Sequence, residues 1–257
     1  MFAVYKKELR SYFINAIGYV YVGVFLAVAA FICMFTTLGA QSYETKNYFT
    51  FLMMSFIILI PLLTMKLFAE EKKLRTEQLL LTAPVTIWGV VFGKFLAAAT
   101  VFAGTVLASC INFIPLYVIA NDEKLDDAFG SDIHVGPATG EIIACVLGVI
   151  FVGLALIAVG MFISSLTENQ LAAAVITVTI IVVWLLLDIF KMAIADMGIN
   201  ETLKDVLNSV INATGLLSRF ANFTQGLLDF SAFLYYGSIA GVFLLLTVRV
   251  YDKRRWS

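Results

Sequence analysis

Residues 139–163 read TGEIIACVLGVIFVGLALIAVGMFI, with one formal charge, Glu141, near the start. A helix rises 1.5 Å per residue, so a run of this length covers the roughly 30 Å of a bilayer's hydrocarbon core. A helix that is apolar on every side has no face to offer water. Five further apolar runs lie at about 17–39, 49–69, 88–120, 170–190 and 232–250. The run at 88–120 exceeds the needs of one span, so its first turns, from Trp88 to Lys94, are expected in the headgroup layer. Composition agrees: 61% of the 257 residues are hydrophobic and 14% charged, where a soluble domain carries about a quarter charged. The chain is predicted to be an all-α membrane protein with six transmembrane helices, forming one domain over residues 1–257.

The basic residues set the orientation. With both termini in the cytoplasm, the inner side holds Lys6, Lys7, Arg10, Lys66, Lys72, Lys73, Arg75, Lys94, Arg249, Lys253, Arg254 and Arg255, which is 12 of the 17. The outer side holds Lys46, Lys124, Lys191, Lys204 and Arg219, and its loop at 121–138 gathers Asp122, Glu123, Asp126, Asp127 and Asp132. A multi-pass protein of a bacterial inner (plasma) membrane is expected. The apolar stretch after Lys6, Lys7 and Arg10 is too long for a signal peptide, so no cleaved leader is expected. Residues 1–16 read as an amphipathic helix lying flat at the interface. Phe2, Tyr5, Leu9, Tyr12, Phe13 and Ala16 share about a third of its circumference, and Lys6, Lys7, Glu8 and Arg10 occupy the rest. The outer insert 191–231 carries Leu203, Val206, Leu207, Val210, Ile211, Leu217 and Phe220 at helical spacing, broken near Gly215 and Gly226. One or two short helices that dip back towards the bilayer are expected there. Its sequons at Asn200, Asn212 and Asn222 read as coincidence in a bacterial protein.

Few residues offer chemistry. Gly89-Val-Val-Phe-Gly93-Lys94-Phe95 has one residue too few between its glycines for a phosphate loop, and a Phe where Ser or Thr would hold magnesium. Gly89 and Gly93, like Gly237 and Gly241, read instead as sites of close helix packing. His134 stands in the acidic loop without a partner in sequence, and neither Gly-x-Ser-x-Gly nor His-Glu-x-x-His occurs. Cys33, Cys110 and Cys145 sit inside apolar runs as free thiols. Lys66 can snorkel from its span, and Asp188 can pair with Lys191 three residues on. No catalytic residue, cofactor site, metal site or nucleic-acid partner is expected. The spans show no basic track and no aromatic cage, so no substrate class is read.

The informative hydrophilic segment is 70–94, EEKKLRTEQLLLTAPVTIWGVVFGK. It is predicted to be helical to about Leu81 and stopped by Pro84, which disfavours helix at Ala83. Leu74 and Leu81 share a face while Leu79 and Leu80 point elsewhere, which suits an element wedged between the membrane and a partner.

This segment resembles the first cytoplasmic loop of type-2 ABC transporter permeases. Their usual pattern is an acidic-basic cluster, Gly-Thr-x-Glu-Leu-Leu, a Pro, and Gly-Lys at the next helix. Glu70, Glu71, Lys72, Lys73, Thr76, Leu79, Leu80, Pro84, Gly93 and Lys94 fit it. Arg75 stands in place of the usual Gly and Gln78 in place of the usual Glu, with an acid displaced to Glu77. The turn Ser164-Ser165-Leu166-Thr167-Glu168-Asn169-Gln170 and the tail from Arg249 to Trp256 resemble the family too. The permeases of gliding-motility and copper-processing systems look most similar. The resemblance implies a permease that dimerises, with itself or a relative, and binds two cytosolic ATPase subunits, with room for an extracytoplasmic accessory protein. It implies an exporter in which residues 70–86 form the coupling helix. Glu70, Glu71, Arg75, Thr76, Glu77, Leu79, Leu80 and Pro84 would serve ATPase coupling, and Thr167, Glu168 and Asn169 a second cytoplasmic contact. A secondary transporter is the main rival, and would show repeated halves and polar midplane pockets. An intramembrane enzyme would need a convergent catalytic set.

Overall fold

The computed structural model describes residues 1–14, 16–39, 43–76, 86–126, 137–196, 215–227 and 229–256; side chains are described outside 121–126, 188–196 and 256. Among the described residues all regular structure is helical, and six helices are long and apolar enough to span a membrane. Helix α1 (Phe2–Ile14) precedes span 1, which is α2 (Ala16–Cys33) continued by a π-helical turn at Met34–Leu38. Span 2 is α3 (Lys46–Thr64), followed by a short α4 (Ala69–Lys73). Span 3 is α5 (Ile87–Ser109), which passes through a 3₁₀ turn at Cys110–Phe113 into α6 (Ile114–Asp126). Spans 4 and 5 are α7 (Thr139–Leu166) and α8 (Gln170–Asp196). Helix α9 (Leu216–Phe220) and a 3₁₀ turn (Phe223–Gln225) lead to span 6, α10 (Phe230–Trp256).

Span 4 is the centre, packed against spans 2, 3, 5 and 6. In spans 3 and 4, 67% of the most apolar window is buried, against 28%, 22% and 28% in spans 1, 5 and 6. The outer three therefore leave most of their apolar surface to hydrocarbon or another chain. Glycines on span 4 explain its close neighbours. A Cβ on Gly153 would stand 2.1 Å from the Phe102 ring, and one on Gly160 would stand 2.3 Å from the Thr64 hydroxyl. Phe102 in turn meets Phe25 and Phe56 with ring centroids 6.2 and 5.4 Å away. Threonine hydroxyls inside the spans bond to their own helix: Thr64 donates to the Ile60 carbonyl at 3.0 Å, Thr177 to Ala173 at 2.7 Å and Thr247 to Phe243 at 2.8 Å. In a medium without water this is the available solution.

The part of the outer insert that is described packs back on span 4. Leu216, Phe220 and Phe223 are buried, the Phe223 ring lies over Gly148, and the Cys145 thiol donates to the Phe223 carbonyl at 3.3 Å. The expected pattern over Leu203–Ile211, the acidic loop with His134, and the Asp188–Lys191 pairing lie outside the described residues or side chains.

Two expectations are revised. The apolar stripe of the first helix does not face only the bilayer. Its middle, Tyr5, Leu9 and Tyr12, packs on the bundle, with the Tyr12 hydroxyl donating to the Leu63 carbonyl at 3.1 Å. Burial, with Glu8 nearby, pushes the Tyr12 phenol far above its usual range, so it stays a donor. The ends of the stripe, Phe2 and Phe13, remain exposed. Second, the helix expected from 70 to about 81 ends at Lys73: Arg75 has φ +56°, which no α-helix tolerates.

Candidate functional site

Lys94 opens span 3 with a helical start capped by Thr86, whose hydroxyl accepts from the Gly89 amide at 3.3 Å. Gly93 lets α1 close over it: a Cβ there would meet Val4 at 3.1 Å and the Met1 carbonyl at 3.2 Å. Lys94 is 1% exposed, so its ammonium is surrounded by the protein itself. Its ammonium meets the Glu71 carboxylate at 2.9 Å, the Glu8 carboxylate at 3.1 Å and the Leu67 carbonyl at 2.8 Å. Three donors find three acceptors, which is all an ammonium can use. The Phe68 ring lies 5.1 Å away. Lys7 stands 3.8 Å from both Glu8 and Glu71, so two cations balance two carboxylates. A buried charge survives only when paired and hydrogen-bonded in this way. The node ties three elements together: α1 through Glu8, α4 through Glu71, and span 3 through Lys94. Beside it, Lys66 lies 3.8 Å from Glu70.

From the other side, the end of span 4 grips the same segment. The Ser164 hydroxyl, fully buried, accepts from the Phe68 and Ala69 amides at 3.1 Å each and donates to the Met65 carbonyl at 3.3 Å. It thus serves orphan groups of two helix ends at once, the last turn of α3 and the first of α4. Lys72 donates to the Ser165 carbonyl. The Phe68 ring also packs at a tilt against Tyr251 of span 6, with centroids 4.7 Å apart. These contacts place both terminal helices at one end of the bundle.

Past Lys73 the chain turns outward in a defined shape. The Thr76 amide donates to the Glu71 carbonyl at 2.9 Å and the Arg75 amide to Lys72 at 3.0 Å, with Arg75 in the left-handed region. That pair of bonds is a Schellman cap with Arg75 at its C′ position. Glycine is the usual residue at such a position because it has no Cβ to clash, which explains the glycine of the usual loop pattern at this place. Lys73, Leu74, Arg75 and Thr76 are all exposed, Leu74 at 63%. They form a ledge anchored from behind by the node and by Ser164.

A family model described as "ABC-2 family transporter protein" matches residues 36–249. That is most of the chain. The protein belongs to the ABC-2 transporter family. No curated protein matches it closely enough to be compared. As an ABC-2 family member the chain is the membrane permease subunit of an ABC transporter, and it works with ATPase subunits that carry the nucleotide chemistry separately. Of the residues the sequence singled out in this permease, Glu70 and Glu71 sit on α4, with Glu71 turned into the node and Glu70 partly exposed. Arg75 and Thr76 are on the ledge, while Glu77, Leu79, Leu80 and Pro84 lie outside the described residues. Thr167, Glu168 and Asn169 form the turn after span 4. Thr167 donates to the Ile163 carbonyl at 3.1 Å, and the Asn169 side chain accepts from the Leu171 amide at 3.0 Å to start span 5. Glu168 and Asn169 are exposed there. Sequence reasoning left out Glu8, Lys94, Ser164 and Leu74 as site residues. Lys94 and Ser164 stood in motifs that resemble the family and Leu74 in the segment read as wedged against a partner, whereas nothing in the sequence pointed to Glu8.

Proposed function

We propose that this ABC-2 permease takes up the motion of its ATPase partner on the ledge at residues 73–76 and passes it into the bundle through the Lys94 node and Ser164. The observation that carries the reading is the double grip on α4: an exposed element held rigidly to α1, span 3 and span 4 is what mechanical coupling needs. Glu70, Arg75 and Thr76 meet the ATPase directly, with Glu77, Leu79, Leu80 and Pro84 extending the contact. Glu71 contributes through the node. Thr167, Glu168 and Asn169 supply the second contact, beside α4. In this reading both termini and residues 70–86 are cytosolic. Two permease copies enclose the pathway, two ATPase subunits drive it, and cargo leaves outward. By the look of its loop, turn and tail motifs, the reading extends to a permease similar to those of gliding-motility and copper-processing systems.

The test is copurification of the ATPase with L74E/R75E, compared with K46E, an exposed site at the opposite end. The ledge variant should lose most of the ATPase, because a charge reversed inside a docking surface is repelled as well as unpaired. Full retention by L74E/R75E alongside loss in K46E would overturn the assignment.

A further inference from the structure

Helix α1 ends at Ile14 and the first span begins at Ala16, so one residue separates α1 from chain that crosses hydrocarbon. This confines α1 to the level of the lipid headgroups. One of its faces is occupied by the bundle, through Val4 on Gly93, Tyr5 on Thr100 at 3.2 Å and Tyr12 on Leu63. The other is open: Lys6, Lys7, Arg10 and Ser11 line a shallow groove along the helix, between Ala3 and Ile14. Phe2 and Ile14, 75% and 69% exposed, frame that face with apolar side chains at the two helix ends. The only carboxylate on α1, Glu8, is committed to Lys94. Among the described residues no carboxylate pairs with Lys6 or Arg10, and both are exposed. They are i,i+4 neighbours, with Cβ atoms about 5–6 Å apart, close enough for both to reach one phosphate group.

We infer that the Lys6–Arg10 face of α1 binds the phosphate headgroup of anionic phospholipids. Two uncompensated cations at headgroup depth, with apolar anchors at either end, complement a headgroup that has net negative charge and acyl chains beneath it. A zwitterionic headgroup brings its own cation and gains less. Because Glu8 of the same helix belongs to the node, lipid held here also steadies the element behind the ledge. The inference goes beyond ATPase coupling, and its failure would leave the ATPase copurification result untouched.

The experiment uses the intact permease–ATPase complex in nanodiscs of phosphatidylcholine mixed with phosphatidylglycerol, with retained lipid quantified by mass spectrometry after extraction. The wild type should retain phosphatidylglycerol preferentially. K6Q/R10Q should weaken that preference by roughly 10- to 30-fold, as expected for two cations near an anionic surface. K6R/R10K should keep it, and K253Q/R254Q at the other chain end should leave it unchanged. In the wild type the preference should also fall as salt rises, a readout independent of any variant. Undiminished preference in K6Q/R10Q, no preference in the wild type, or equal competition by inorganic phosphate would each overturn the inference.

Discussion

At the residue scale, Arg75 holds φ +56°, a conformation that strains a residue with a Cβ by about 1–2 kcal/mol. Arg75→Gly removes that strain, and the added freedom of the unfolded chain offsets about 0.4–1 kcal/mol of the gain. Its melting temperature is expected at or slightly above wild type, whereas Arg75→Val, β-branched and unable to relax there, should fall. Thermal denaturation in detergent distinguishes the two; equal losses would mean that the cap does not govern this position. Lys94 makes the opposite case, a side chain whose worth lies in its partners. Lys94→Met leaves Glu8 and Glu71 facing each other, and breaking a buried pair in this way costs about 3–5 kcal/mol. Neutralising the acids as well, in K94M/E8Q/E71Q, should recover much of the loss, as read by size-exclusion chromatography after heating. If the triple variant is worse than the single one, the node is not held by charge balance. Sequence reasoning missed the node for a plain reason. Glu8 is 86 positions from Lys94, and no periodicity connects residues whose meeting depends on how α1 folds back over Gly93. The Schellman cap was closer to legible, because a glycine expected and an arginine found mark a place where the backbone makes a demand.

At the scale of elements, the six spans follow from their apolar runs, since hydrocarbon selects for length and apolarity alone. The ends of elements are where reading fails. Helix α4 stops after five residues although 70–81 contains good helix formers, because its carbonyls are claimed by the turn at Arg75 and Thr76. Its beginning depends on Ser164, in the turn that resemblance marked but no local pattern assigns to α4. Ser164→Ala keeps the shape of span 4 and removes the acceptor for two buried amides, at a cost of about 1–3 kcal/mol for leaving such groups unmet. Hydrogen exchange at Phe68 and Ala69 should accelerate while that in the middle of spans 3 and 4 stays slow. Unchanged protection at both amides would show that another group caps α4. Gly93 is a point of close approach to α1, whereas an added Cβ on Gly89 would first meet the Thr86 hydroxyl of its own cap at 3.0 Å and then Met1 at 3.5 Å. Gly237 and Gly241, read the same way, have nothing within 4 Å of an added Cβ.

Across the whole molecule, charge is sorted by end. The node, α4, the ledge and the basic tail lie together, and the proposed orientation, which follows the positive-inside rule, puts that end in the cytosol. Cysteines placed singly at Lys73 and at Lys124 test this with a thiol reagent that cannot cross membranes. In intact cells only the second should be labelled, and labelling at Lys73 would reverse the orientation. The shared end also sets an order of manufacture. Glu8 leaves the ribosome first, Glu71 next and Lys94 last, so the acids wait in water until the third span arrives. The cation is then the piece that closes the joint, and the α1 contact to spans 2 and 3 becomes complete only when half the spans have been made. For a protein assembled from its N-terminus inside a membrane, that order leaves Lys94 no interval in which its two carboxylate partners have yet to be made.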